Sequence, residues 1–388
     1  MMKSLRTLGV TAAALSMLLL AGCSGASDPE QPAGTGDPAV ELTAEAQAAL
    51  DIVEGATVPV DEFEAPGPAF DATALTGKTF YFVPATLQVP VLNVIGEKLG
   101  NALGEFDAQL QICDGKANPA DIASCVGQAI QADAAGVVTA GITPEFAPAA
   151  FADLEAAGIP WVQGLTAPAG EGDPTKVGYV AENQVLLQTW TTNWVIADSN
   201  AAANVLVIKL IDTPATTMWA DAGILATYAE GCADCTTQVI EINSGQLDRL
   251  PSLISSALVA NPDITYIQSQ FDQFMPAVTQ GVQSAARDDI QVVSVDGSLA
   301  TLQDMANGGV AQAAAAYNKS ALGWYLADAV ARMAAGQPAV QNLEFPYRRA
   351  FTQETVADLT LTPEAEAAGE WFGDADYQAG FLELWGVN

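Results

Sequence analysis

Residues 83–100 read VPATLQVPVLNVIGEKLG. An apolar strand ends there, a short uncharged loop follows, and Leu92, Ile95, Leu99 and Leu103 then recur at helical spacing. A strand passing through a loop into a helix is a βα unit, and α/β proteins hold small ligands at such loops. This loop offers Thr86 and Gln88 but no Lys, Arg or glycine-rich turn, so it is not built to cradle a phosphate. The same alternation continues along the chain. Strand-like runs fall at 79–83, 108–112, 136–139, 160–163, 177–180, 205–210, 237–242, 264–268, 291–295 and 310–316, with helical stretches between most of them. Alternating strands and helices predict a parallel sheet covered on both faces. Ten strands are many for one sheet, so two doubly wound α/β lobes of about five strands each are expected.

The 388 residues include 46 Asp and Glu against 13 Lys and Arg, a formal net charge of -33. Such a chain repels nucleic acid and anionic membrane surfaces, and neither is an expected partner. Histidine is absent, which removes Ser-His and Cys-His nucleophiles and imidazole metal sites. Neither a metal nor a cofactor is expected.

The N-terminus, MMKSLRTLGVTAAALSMLLLAGC, places Lys3 and Arg6 before an apolar run from Leu8 to Leu20. That pattern is a secretory signal, and the run is short for a membrane span. The following Leu20-Ala21-Gly22-Cys23 looks like a bacterial lipobox, which implies cleavage before Cys23, its lipidation and an extracytoplasmic chain anchored to the cell membrane. Four cysteines remain: Cys113, Cys125, Cys232 and Cys235. In an oxidising compartment they read as two disulfides. Of the three possible pairings, the local one, Cys113 with Cys125 and Cys232 with Cys235, is the simplest. The Cys-Ala-Asp-Cys run is also a redox or zinc spacing, but it lacks a second metal pair and a thioredoxin-like setting.

Residues 1–22 are therefore read as signal peptide and 23–76 as a lipidated tether rich in Gly, Pro and Ala, with a short helix at 43–53. Beyond 77 the order of segments resembles the type I periplasmic binding proteins of the ribose- and galactose-binding group. The stretches that carry the likeness are TFYFVPATLQVPVLNVIGEKLGNAL, the long run from NPADIASC to AAGIPWV, GYVAENQ, VVSVDGS and ANGGVAQAAAAYNKSALGWYLADAV. The resemblance spans about 78–347 and implies two lobes joined by three crossovers, near Val180–Asn183, Asp296 and Tyr317. On that basis the N-terminal lobe takes 77–181 plus about 297–317, and the C-terminal lobe 182–296 plus about 318–347. The remainder, 348–388, has Trp371, Phe372, Phe381, Leu384 and Trp385 and is read as an extension packing on a lobe.

Carried over segment by segment, the resemblance implies ligand contacts from Thr86, Leu87, Gln88, Thr166, Glu182, Asn183, Met218, Trp219, Gln270, Asp272, Asp296, Tyr317 and Asn318. Val89, Val91, Leu92 and Leu165 occupy matched positions beside them. The chain departs from the group's sugar binders in two ways. An aromatic pair is replaced by Val91-Leu92, and arginines are replaced by Thr166 and Met218. With no cation among these positions an anionic ligand lacks its partner, whereas Glu182, Asp272 and Asp296 accept from hydroxyls or amines. Trp219, Phe271, Phe274 and Tyr317 offer apolar faces. Structural roles compete at each place: Trp161, Phe274 and Met275 as core, Glu182-Asn183 as a helix cap, Asp296-Gly297 as a turn.

The expected function is a monomeric solute-binding protein of an ABC importer, closing around a small neutral solute, a sugar or polyol first, and presenting it to a membrane permease. A small apolar, aromatic or cationic solute and a sensory receptor subunit are the alternatives. A hydrolase using Asp272 and Asp296 ranks below them.

Overall fold

The structure is a computed structural model that describes residues 41–166, 172–341 and 343–387. The signal segment 1–22, Cys23 and the start of the tether lie outside the described residues. The first half runs α1 (Ala44–Ala56), β1 (Thr79–Pro84), α2 (Pro90–Gly104), β2 (Gln109–Ile112), α3 (Pro119–Gln131), β3 (Gly136–Ala140), α4 (Pro148–Ala157), β4 (Trp161–Gly164) and β5 (Val177–Val180). Next come α5 (Gln184–Asp198), β6 (Asn204–Leu210), α6 (Pro214–Ala220), α7 (Ala226–Gly231), β7 (Thr236–Ile242), α8 (Leu250–Ala260), β8 (Tyr266–Ser269), α9 (Met275–Ser284) and β9 (Gln291–Val295). The chain ends with α10 (Leu299–Ala306), β10 (Ala311–Tyr317), α11 (Lys319–Ala334), β11 (Arg348–Thr352), α12 (Gln353–Val356), α13 (Pro363–Ala368) and α14 (Tyr377–Trp385).

One sheet has the order β2-β1-β3-β4-β5 and is parallel throughout. The other has the order β11-β10-β9-β8-β6-β7. The second sheet thus repeats the winding of the first and adds β11, antiparallel to β10. This eleventh strand escapes the periodic reading because Arg348-Arg349-Ala350-Phe351-Thr352 gains its identity only from the β10 edge it covers.

The late segments sit in the opposite lobes from those expected. Residues 297–317, expected in the N-terminal lobe, carry α10 and β10, and β10 pairs with β9 in the second sheet. Within 318–347, expected in the C-terminal lobe, α11 packs Leu322, Leu326 and Val330 into the first lobe's core with Phe82, Ile95 and Val138. A strand, its helix and the next parallel strand close right-handed in one sheet, so nothing draws the chain away at Asp296. It crosses after β5, again at Asn318, and returns through 335–347 to β11.

The tether reading fails for its described part. Thr43 caps α1, accepting from Ala46 N at 3.1 Å, and Ala46 and Ala49 pack against Val195 and Ile196 of α5. Beyond α1 the backbone pairs with the C-terminal extension: Val60 N donates to Phe372 O at 2.8 Å, Phe70 N to Leu384 O at 2.9 Å and Ala72 N to Trp385 O at 3.0 Å. Irregular backbone shows no apolar period even when it is packed, which is why this segment reads as linker.

The extension also departs from expectation, for it spans both lobes. Phe351, Val356, Trp371 and Phe372 enter the second lobe's core, and Tyr377, Phe381, Leu384 and Trp385 enter the first's. Trp385 stacks on Trp324 at 5.3 Å, and its Nε1 donates to Asp328, which also takes Arg332 Nε. Arg349 ties the two straps together, donating from Nε to Thr57 O and from Nη1 to Trp371 O, each at 2.7 Å. Residues 42–388 accordingly form one compact unit.

Both local disulfides are formed, Cys113–Cys125 joining the end of β2 to α3 and Cys232–Cys235 joining α7 to β7. Among the described residues no helix is long and apolar enough to cross a membrane.

Candidate ligand-binding cleft

In each sheet the winding reverses beside its first strand, between β1 and β3 and between β6 and β8, and such reversals leave crevices at the carboxyl ends of strands. The two crevices open into one cleft of about 520 Å³. Its lining comes from strand ends in turn: Ala85 and Thr86 after β1, Gly141 after β3, Leu165 after β4, Glu182 after β5, Asp212 and Thr213 after β6, Phe271 and Asp272 after β8, Asp296 after β9 and Tyr317 closing β10.

The β1 loop forms an apolar wall. Gln88 N donates to Thr86 Oγ1 at 3.2 Å, which turns the loop on itself, and Leu87 N donates to Asp114 Oδ1 at 2.9 Å, which ties it to the segment after β2. Val89, Pro90, Val91 and Leu92 then face the cleft. Opposite them stand Trp219 and Phe271, edge to face at 6.3 Å. A further wall is supplied by the extension, through Ala367, Trp371 and Phe372.

The polar side of the cleft is acidic. Glu182 is fully buried, and neither carboxylate oxygen receives a well-formed hydrogen bond. Burial pushes its pKa up to about 7, while its own N–H, the Gln184 side chain and Arg348 pull weakly downward. Asp296 has φ 106°, a strained conformation for a residue with a side chain, and its Oδ1 is buried without a partner. Burial lifts this carboxyl well above the ordinary range; Lys319 opposes the rise and Asp272 and Glu182 add to it. The Tyr317 hydroxyl is buried and unpartnered and is raised in turn, by burial and then by Asp296 and Glu182. Lys319 Nζ is occupied, donating to Asp296 O at 2.7 Å.

Of the residues the sequence singled out, the structure brings Thr86, Glu182, Trp219, Asp272, Asp296 and Tyr317 together on the cleft. The others lie elsewhere. Leu87 and Gln88 sit on the outer side of their loop, Gln88 exposed. Thr166 is buried outside the lining. Asn183, at φ 62°, and Asn318 cap α5 and α11, accepting from Leu186 N at 3.1 Å and Ala321 N at 3.0 Å. Met218 faces a shallow surface depression with Ile211 and Pro214. Gln270 is a brace whose Oε1 accepts from Leu210 N at 2.7 Å and whose Nε2 donates to Thr216 O at 2.8 Å. Asp272 lines the cleft but is itself held, Oδ1 by Ser294 Oγ and Oδ2 by Ser298 N. Phe274 and Trp161 are core. Sequence reasoning missed Gln184, Thr216, Lys319, Glu366, Trp371 and Phe372; the aromatic pair in GEWFGD was the signal, but nothing local says where the extension lies.

No family model matches the chain, and no curated protein matches it. Solved structures do. An ABC sugar transporter subunit from Rhodobacter sphaeroides 2.4.1 superposes with TM-score 0.64 at 21% identity, over 72% of this chain and 99% of that one. A Mycobacterium smegmatis protein in complex with β-D-fucofuranose gives 0.65 at 16% identity, over 76% and 98%. The periplasmic binding protein component of the arabinose ABC transporter from Shewanella sp. ANA-3, bound to α- and β-L-arabinofuranose, gives 0.62 at 17% identity, over 79% and 98%. At these identities the likeness is one of fold.

Proposed function

We propose, from the type I periplasmic binding protein fold that this chain carries, that it is the extracytoplasmic solute receptor of an ABC importer, anchored through a lipid on Cys23, taking a sugar or polyol as a monomer and passing it to a membrane permease. One observation carries the reading. Buried acceptors without a well-formed hydrogen bond from the protein, on Glu182 and Asp296, line a cleft between two lobes together with the Tyr317 hydroxyl, and a buried polar atom left unpaired costs about 1–3 kcal/mol until something pairs with it. A solute rich in hydroxyls supplies the missing donors. Because those groups come from both lobes, closure over the solute is favoured by contacts that only the closed form makes. The oxygens of Asp272 are committed to Ser294 and Ser298, which argues against the Asp272–Asp296 acid-base pair that a hydrolase would use.

The test is thermal. The chain from residue 23 with Cys23→Ser, unfolded and refolded to strip any carried ligand, is melted against sugars and polyols. A ligand at 100 times its Kd adds roughly 2.7 kcal/mol to the folded state. A selective rise with one compound class supports the reading; no rise with any refutes it. In cells, Cys23→Ser shifts the protein from the membrane fraction to the soluble one.

A further inference from the structure

We propose that the solute carries a protonated nitrogen on its hydroxylated body, as in an amino sugar or amino polyol, and that Glu182 and Asp296 hold that nitrogen between them. The proposal rests on the receptor reading above and narrows its ligand.

The donor and acceptor census is one-sided. Among the described residues, the buried cleft-lining atoms without a well-formed partner are both Glu182 oxygens, Gln184 Oε1, Asp296 Oδ1 and the Tyr317 hydroxyl. With both carboxyls ionised, all but the phenol are acceptors only, so nearly every polar group waiting in the cleft then takes a proton from the ligand. A hydroxyl brings one; an ammonium concentrates three on a single atom.

Charge points the same way. Of the carboxylates on the lining, Glu97 is paired with Lys98, Asp212 is held by Ser244 and Glu366 by Leu299 N; the remaining three, Glu182, Asp272 and Asp296, form a cluster, and the cations that act on it are Lys319 and Arg348, the latter shared with Glu344. The cluster is one cation short of neutral when all are ionised. The cleft's own lysines are engaged, Lys319 on Asp296 O and Lys98 beside Glu97 at 3.4 Å. A buried carboxylate pair with too few cations is unfavourable, and a monocation placed between the two removes both the repulsion and the unmatched charge. Trp219, Phe271, Trp371 and Phe372 share the lining with the buried pair, and attraction is stronger where water is excluded.

Matched ligands test this by calorimetry. Glucosamine, galactosamine, mannosamine and 1-amino-1-deoxysorbitol are each compared with the parent hydroxyl compound and, for the sugars, the N-acetyl derivative, which keeps the size and loses the charge. At least one amine is expected to bind more than about tenfold tighter than its neutral counterparts. Glu182→Gln and Asp296→Asn should each erase that preference, their melting curves showing that both still fold. A parent that binds as tightly as its amine, or a preference that survives both substitutions, overturns the proposal and leaves the receptor reading standing. If no amine and no neutral compound binds, the receptor reading falls and the proposal with it.

Discussion

Glu182→Gln should stabilise the empty protein above neutral pH and change little in acid. The carboxyl is fully buried, and burial lifts its folded pKa from 4.5 to about 7. Below the lower value both folded and unfolded chains hold the proton, and the group costs nothing. Between the two values only the unfolded chain releases it, so the unfolded state binds fewer protons and stability falls as pH rises. Above the higher value the loss is complete. A shift of roughly 2.5 units at 1.36 kcal/mol each gives about 3 kcal/mol, a melting difference of about 4 °C for a chain of this length at about 2.1 cal/mol/K of unfolding entropy per residue. The glutamine side chain removes the titration while keeping the shape. Thermal or urea denaturation of wild type and variant, each stripped of ligand, near pH 4.5 and near pH 8 reads the effect. Asp272, Asp296, Tyr317, Lys319 and Arg348 face the same site and are present in both proteins, so the change with pH in the difference between them reports Glu182 together with its coupling to Asp296 and Tyr317. A difference that is the same at both pH values would refute the reasoning, because an uncharged or solvated Glu182 has no pH-dependent cost to remove.

Gln270→Ala should lower stability by about 1–3 kcal/mol, since it orphans the buried Leu210 N and frees the half-buried Thr216 O, while the ranking of ligands by affinity stays as it was; a changed ranking with normal melting would restore it as a ligand contact. Replacing Cys113 and Cys125 together by Ser opens a loop of separation 12, and a drop of about 3 kcal/mol in urea unfolding is expected. Phe372→Ala removes a ring packed edge to face on Phe351 at 5.8 Å and one wall of the cleft, so a loss of about 3–4 kcal/mol in stability should come with weaker binding of every solute; unchanged affinity in a folded variant would show that the extension does not touch the ligand.

The βα alternation was legible because it is local. Each of the ten expected strand runs coincides with a strand to within about two residues, and the disulfides followed from short separations that only local pairing satisfies simply. The cleft was legible in part, for the acidic strand ends at Glu182, Asp272 and Asp296 and the ring of Trp219 do line it. The residues that went elsewhere share a cause. Asn183, Asn318 and Gln270 are polar residues beside the right loops, and each is taken up by a nearby backbone N–H. Whether a side chain at a loop turns inward to a solute or back to its own helix depends on dihedrals that spacing does not record.

Composition, charge, the absence of histidine and two short periods along the chain were enough to determine a doubly wound α/β protein built from repeated βα units, without Ser-His or Cys-His nucleophiles. The tertiary structure decided which lobe owns each late element, and it turned the apparent tether and tail into paired straps. It also set Trp371 and Phe372 against the cleft about 190 residues beyond Glu182. The reason is physical. Strand and helix periods report which face of a segment is buried, whereas irregular segments are placed by single backbone hydrogen bonds and isolated aromatic contacts, such as Val60 on Phe372 and Trp385 on Trp324, which leave no period to read.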